Sequence, residues 1–186
     1  MKIYTIIAGV NGTGKSSLTG VLKNQMTDLG IVIDVDKIAA ANNQNNVLAG
    51  RIAIKKINDC LKRGICFTQE TTLSGHRTAQ TARKTRENGY YIRMFYVGLN
   101  SAEDSIERIA NRVRKGGHAI ADCDVWRRYN SRTESLIKVL PYCDEAIFFD
   151  NDNGFVEVAS YRNGEIILHE NAPRWIRDMA NTINTI

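Results

Sequence analysis

Apolar runs of strand length alternate along the chain with helix-length amphipathic segments, which is the signature of a parallel sheet with crossover helices. The β-branched run Ile3 to Ile7 predicts a first strand, and Ser17 to Asp28, with Leu18, Val21, Leu22 and Met26 apolar, predicts a first helix. Gly30 closes it, and Ile31 to Asp36 reads as the second strand with Asp36 at its carboxyl end. Asn42 to Asn46 is a polar loop or a loose helix start, and Val47 to Arg63 reads as a helix ended by Gly64. Ile65 to Thr68 is a short strand leading to Glu70, Gly75 to Asn88 a third helix, and Tyr90 to Gly98 the next strand. The predicted order is βαβαβαβ.

Ser101-Ala102-Glu103-Asp104 has the spacing of a capping box and starts a helix with the apolar stripe Ile106, Ile109 and Val113. That stripe leaves Arg108 and Arg112 together on another face. A break at Gly116-Gly117-His118 separates it from a second amphipathic helix starting near Asp124. Ala146 to Phe149 is the last parallel strand and ends at Asp150. Phe155 to Tyr161 and Glu165 to His169 flank Asn163-Gly164, a hairpin signal, and Pro173 opens a terminal helix.

The first strand runs straight into Gly9-Val10-Asn11-Gly12-Thr13-Gly14-Lys15-Ser16-Ser17, a complete phosphate-binding loop followed by a helix. Its glycines allow a turn whose backbone NH groups surround a polyphosphate, and the helix N-terminus adds its positive dipole end. Lys15 then reaches the β- and γ-phosphates as a point charge, and the Ser16 hydroxyl is the expected magnesium ligand. Gly9, Asn11, Gly12, Thr13, Gly14, Lys15, Ser16 and Ser17 are therefore the candidate ATP-binding residues of the loop.

With 186 residues, one phosphate-loop domain over 1–186 is expected. Cys60, Cys66, Cys123 and Cys143 form no CxxC pair, no secretory leader is read before them, and no apolar run reaches membrane-spanning length. Buried free thiols in a reducing cytoplasm are the expectation. The net charge of +5 is not gathered into one basic block interleaved with aromatics, so it is read as electrostatics for an anionic small substrate, with neither nucleic acid nor membrane as partner.

In an open parallel sheet, ligands sit beyond the carboxyl ends of the strands, where Asp34, Asp36 and Glu70 fall. Asp36 is a candidate base for an acceptor hydroxyl attacking a γ-phosphate, with Asp34 as its rival. Glu70 stands where a magnesium-organising acid is expected. The segment about 108–132 reads as a lid whose arginines, Arg108, Arg112, Arg114, Arg127 and Arg128, neutralise transition-state charge. His118 lies in the loop between the lid helices.

Taken together, the loop Ala8 to Ser17, the step Asp36-Lys37-Ile38-Ala39, Glu70-Thr71-Thr72-Leu73-Ser74 and the segment Arg112 to His118 make the chain resemble the zeta toxin family, in its compact zeta-like branch. These are phosphate-loop kinases whose founding members phosphorylate UDP-N-acetylglucosamine. The resemblance implies ATP and magnesium as cofactors, Asp36 as the base, and Glu70 and Thr71 facing the acceptor or organising magnesium. It implies lid arginines on the ATP phosphates, with Arg108 and Arg112 binding and Arg114 and Arg128 acting in catalysis, and it sets His118 with the acceptor residues. It also implies an antitoxin protein as partner. The chain departs from the larger toxins in lacking their long C-terminal extension. A nucleotide or other small-metabolite kinase and a nucleotide-hydrolysing switch are the alternatives. Leu73-Ser74-Gly75-His76 echoes the transporter-ATPase signature, but the next strand ends in Gly98-Leu99-Asn100 instead of Asp-Glu, which rejects that identification.

Overall fold

The computed structural model describes residues 1–185. Seven strands form one sheet: β1 (Ile3–Ala8), β2 (Ile31–Asp34), β3 (Phe67–Thr71), β4 (Tyr91–Gly98), β5 (Glu145–Asp150), β6 (Val156–Arg162) and β7 (Glu165–Leu168). Their spatial order is β2-β3-β1-β4-β5-β6-β7; the first five are mutually parallel, β6 pairs antiparallel with β5, and β7 antiparallel with β6. The helices are α1 (Lys15–Gln25), α2 (Val35–Ala40), α3 (Asn46–Arg63), α4 (Arg77–Glu87), α5 (Ala102–Arg114), α6 (Asp122–Asn130), α7 (Arg132–Ile137) and α8 (Arg174–Ile183). Among the described residues none is long and apolar enough to cross a membrane.

The central strand β1 is buried along its whole length, as a parallel strand covered on both faces must be. Alternation divides its side chains between two cores. Tyr4, Ile6 and Ala8 join Ile92, Met94 and Tyr96 of β4 in the larger core, which α3, α4, α7 and α8 cover. Ile7, Phe95 and Val97 face the other way and pack on Leu18 and Leu22 of α1. Arg93, on that second face, is buried and anchored by Asp28 (2.5 and 3.0 Å) and Thr5 (2.9 Å).

Most elements follow the hydrophobic pattern, with informative shifts at their ends. The second strand stops at Asp34, two residues early, because the Asp34 carboxylate accepts hydrogen bonds from the amides of Asp36 (3.0 Å) and Lys37 (3.2 Å) and turns the chain into α2. β3 carries Glu70 within the strand, paired opposite Ile7 of β1. The Ser101 hydroxyl accepts from the Asp104 amide (3.0 Å), as the capping spacing predicts, although its own proton goes to the Asp104 carboxylate (2.6 Å). Val113 is exposed instead of completing the apolar stripe of α5, and the second lid helix starts at Asp122. Asn163 and Gly164 both take positive φ, 53° and 93°, in the predicted hairpin. The four cysteines are free, and Cys60 and Cys143 are buried, but Cys123 is exposed on α6.

Two glycines mark close approaches. Gly50, in the first half of α3, costs the helix about 1 kcal/mol relative to alanine. Gly98 ends β4 under the Trp175 indole of α8, where a methyl carbon would lie 2.4 to 2.7 Å from three ring atoms. Trp175 is itself fixed by its Nε1–H to Asp150 Oδ1 at 2.8 Å. Gly98→Ala is therefore expected to lower stability by about 1–3 kcal/mol through overpacking. A urea denaturation midpoint equal to that of the parent would contradict this.

Candidate active site

The phosphate loop is closed around one carbonyl. Val10 O accepts the Thr13 hydroxyl (2.9 Å) and the Lys15 ammonium (3.0 Å). Gly9, Gly12 and Gly14 take φ values of 144°, 83° and 99°, which side chains disfavour. A methyl on Gly9 would also lie 2.3 Å from the Val97 carbonyl oxygen of β4, and one on Gly12 2.5 Å from that of Ser105 on α5. From the far side Asn151, just beyond β5, donates its amide to Thr13 O at 2.8 Å. The loop is thus clamped between β4, α5 and the end of β5.

Above it lies a cleft of about 500 Å³. Of the predicted residues, the cleft wall contains Asn11, Gly12, Gly14, Lys15, Ser16, Ser17, Asp34, Asp36, Glu70, Thr71, Arg108, Arg112 and Arg128. Gly9 and Thr13 are buried within the loop and do not line the cleft. Arg114 is turned away and donates to Asn111 (2.6 Å), and His118 is exposed on the lid loop, its carbonyl accepting from Arg112 (2.9 Å). Asn151, Gln69, Arg77 and Thr78 were not singled out by sequence reading. Their placement depends on strand order and helix docking, which leave no local motif.

The carboxylates have different tasks. Glu70 is buried, and its two oxygens accept from Ser16 (2.8 Å) and Thr19 (2.7 Å), both on the first turns of α1. Asp34 is consumed as the α2 cap and further paired with Lys37 at 3.4 Å. Asp36, in the first turn of α2, is exposed in the cleft, with no hydrogen bond to its carboxylate among the described residues. The Thr71 hydroxyl is held in a turn, accepting from Leu73 N (3.0 Å) and meeting Thr78 Oγ1 at 3.1 Å.

The lid helices are seated on the loop itself. Val10 packs with Ile109 of α5 and Val125 of α6 in a small core of its own. This sets Arg128 over the loop, hydrogen-bonded to Asn11 Oδ1, with its Nε buried and unpartnered among the described residues. Tyr129 ties α6 to the segment just after β4 through the carbonyl of Asn100 at 2.5 Å, and Arg132 stacks on its ring at 3.6 Å. Arg108 donates to the carbonyls of Asn151 (2.6 Å) and Asp152 (3.1 Å).

The donor set fits a magnesium nucleotide. A glycine-rich loop opening a helix, an ammonium, and an arginine with a buried unsatisfied nitrogen suit a polyphosphate. The Ser16 hydroxyl beside the Glu70 carboxylate suits a magnesium ion, which takes few protein ligands and completes its shell with water and phosphate. Among the described residues no group of three or more His, Cys, Asp or Glu side chains is placed to hold a metal ion.

No protein-family model matches the chain. It is 40% identical over 126 residues to an uncharacterised protein of Haemophilus influenzae, covering 65% of this chain and 88% of that protein. In structure it resembles a chain of the AvrRxo1-ORF1:AvrRxo1-ORF2 complex, solved with sulphate ions, at a TM-score of 0.70 and 15% identity. That match covers 98% of this chain and 63% of the other, so the chain spans less than two thirds of that neighbour. A chain of the PezAT toxin–antitoxin system of Streptococcus pneumoniae matches at 0.67 and 13% identity, over 98% of this chain and 78% of that one. A putative kinase of Chloroflexus aurantiacus matches at 0.56 and 14% identity, over 68% and 77%. These likenesses show the phosphate-loop fold, and the resemblance to zeta toxins is borne out at that level.

Burial lowers the Lys15 ammonium to about 8, opposed by the nearby carboxylates of Asp36, Glu70 and Asp34 and reinforced by Arg128. Phosphates in the loop favour the charged form and raise that value, so binding takes up a proton above pH 8. ATP affinity is accordingly expected to be flat below about pH 8 and to fall as pH rises through it. Calorimetry in buffers of different ionisation enthalpy checks this, and a pH-independent affinity would contradict it.

Proposed function

The chain belongs to one family with the Haemophilus influenzae protein, and we propose that it is a zeta-toxin-like kinase that transfers the γ-phosphoryl group of ATP to a hydroxyl of a small acceptor. The first candidate acceptor is a nucleotide sugar such as UDP-N-acetylglucosamine. One observation carries the reading: of two carboxylates two residues apart, Asp34 is spent on the α2 cap, while Asp36 faces the cleft with its oxygens uncommitted. A binding module needs no such group, whereas a kinase needs a base for the acceptor hydroxyl.

In this mechanism the acceptor oxygen attacks the γ-phosphorus and its proton passes to Asp36. The bond from the γ-phosphorus to the β,γ-bridging oxygen breaks, and ADP leaves with the electron pair. Lys15 and Arg128 neutralise charge gathering on the transferred group, with Arg108 and Arg112 nearby on α5. Ser16 and Glu70 would hold magnesium, which when bound neutralises the β- and γ-phosphate oxygens. Arg114 and His118 lie outside the cleft, and in this proposal they reach the nucleotide or acceptor only if the loop between α5 and α6 moves toward it. ATP use is supported by the AvrRxo1-ORF1:-ORF2 complex solved with ATP, which matches at a TM-score of 0.67. The two-component PezAT system supports an antitoxin-type protein as partner.

Incubating the protein with labelled ATP, magnesium and a panel of UDP-sugars and nucleoside monophosphates tests this, with products resolved by mass spectrometry. A phosphorylated acceptor is expected, and Asp36→Asn should cut turnover by roughly 100-fold with ATP affinity nearly intact. Asp34→Ala should instead lower the melting temperature, because the α2 cap is lost. Phosphate released only to water would overturn the kinase reading.

A further inference from the structure

The cations lining the cleft come from two directions. Lys15 belongs to the phosphate loop, and Arg108, Arg112 and Arg128 to the helices that follow β4. Arg77 comes from the opposite half of the sheet, on α4 after β3, beside the elements that carry Asp36. Lys37, the cation next to Asp36, is tied to Asp34, whereas Arg77 has no ion pair or hydrogen bond among the described residues.

Arg77 is exposed on the cleft wall, with its guanidinium beside α3. Its Nη1 lies against α3 at Gly50, 3.0 Å from where a methyl carbon would sit. Gly50 keeps a negative φ inside the helix, so no turn or cap explains a residue that weakens α3. The absent side chain makes room for the guanidinium. Around it the wall is polar, from Thr72, Ser74 and Thr78.

We propose that Arg77, seated on Gly50, binds an oxyanion of the phosphoryl acceptor, a phosphate or a carboxylate, and so selects anionic metabolites that present a hydroxyl to Asp36. A guanidinium fork matches either oxyanion with two parallel hydrogen bonds. An anionic acceptor brought beside a triphosphate is repelled by it, and a cation on the acceptor side offsets that repulsion. The word acceptor rests on the kinase reading; the anion site does not.

The experiment titrates UDP-N-acetylglucosamine, UMP, glucuronate and neutral N-acetylglucosamine calorimetrically into protein saturated with magnesium and a non-hydrolysable ATP analogue. At least one phosphate or carboxylate probe is expected to bind and the neutral sugar to fail, and which probes bind tells phosphate from carboxylate. Arg77→Gln should weaken that probe about tenfold or more, with the affinity for the ATP analogue unchanged. Gly50→Ala should weaken it by a smaller factor while raising the melting temperature, a combination that general loss of structure cannot produce. Equal binding by Arg77→Gln, equal binding of the neutral sugar, or no oxyanion binding would each overturn the proposal. Turnover separates the two readings: transfer to a neutral acceptor that Arg77→Gln leaves unchanged sinks the anion site alone. Arg77-dependent anion binding with ATP merely hydrolysed sinks the kinase alone.

Discussion

Val10 is the residue on which the site depends, because its two halves do two jobs. Its carbonyl gathers the Thr13 hydroxyl and the Lys15 ammonium, which closes the phosphate loop. Its side chain enters the small core with Ile109 and Val125, which seats the lid helices on that loop. A buried backbone oxygen needs partners and an apolar side chain needs cover. One residue in the loop satisfies both demands and couples nucleotide geometry to lid position. Asn11 extends the link by holding Arg128 over the same loop.

The charges of the cleft follow from this frame. Lys15 is desolvated, so its charge is retained with the help of Asp36, Glu70 and Asp34, and it answers strongly to any phosphate that arrives. Those three carboxylates are neighbours in space, yet hydrogen bonding gives each a separate environment. Glu70 is locked by two hydroxyls of α1, Asp34 by two backbone amides, and Asp36 by neither. A carboxylate free of local partners can accept a proton during a reaction without disturbing the fold.

Sheet order distributes these groups. Placing β3 between β1 and β2 puts Glu70 beside the loop and brings α2, α3 and α4 to one side of it. Placing β4 and β5 on the other side brings Arg108, Arg112, Arg128 and Asn151 to the opposite wall. Two walls with different sets of charged groups therefore arise from topology before any side chain is considered.

The parallel α/β fold, the phosphate loop, the Asn163-Gly164 hairpin and the Ser101 cap were legible in the sequence because each rests on local spacing: hydrophobic period, glycine positions, and a hydroxyl three residues from an amide. The choice between Asp34 and Asp36 was not legible from residues alone. Both suit a strand end, and only the hydrogen bonds that stop β2 at Asp34 tell them apart. Which arginines line the cleft was equally hidden. Arg112, Arg114 and Arg128 are alike in sequence, but helix docking turns Arg128 over Asn11 and Arg114 toward Asn111. Arg77 has no motif at all, and its guanidinium comes to lie beside Gly50 of α3 only in the folded chain. Local patterns determined the elements and the loop; contacts between residues far apart in the chain decided which charges meet in the cleft.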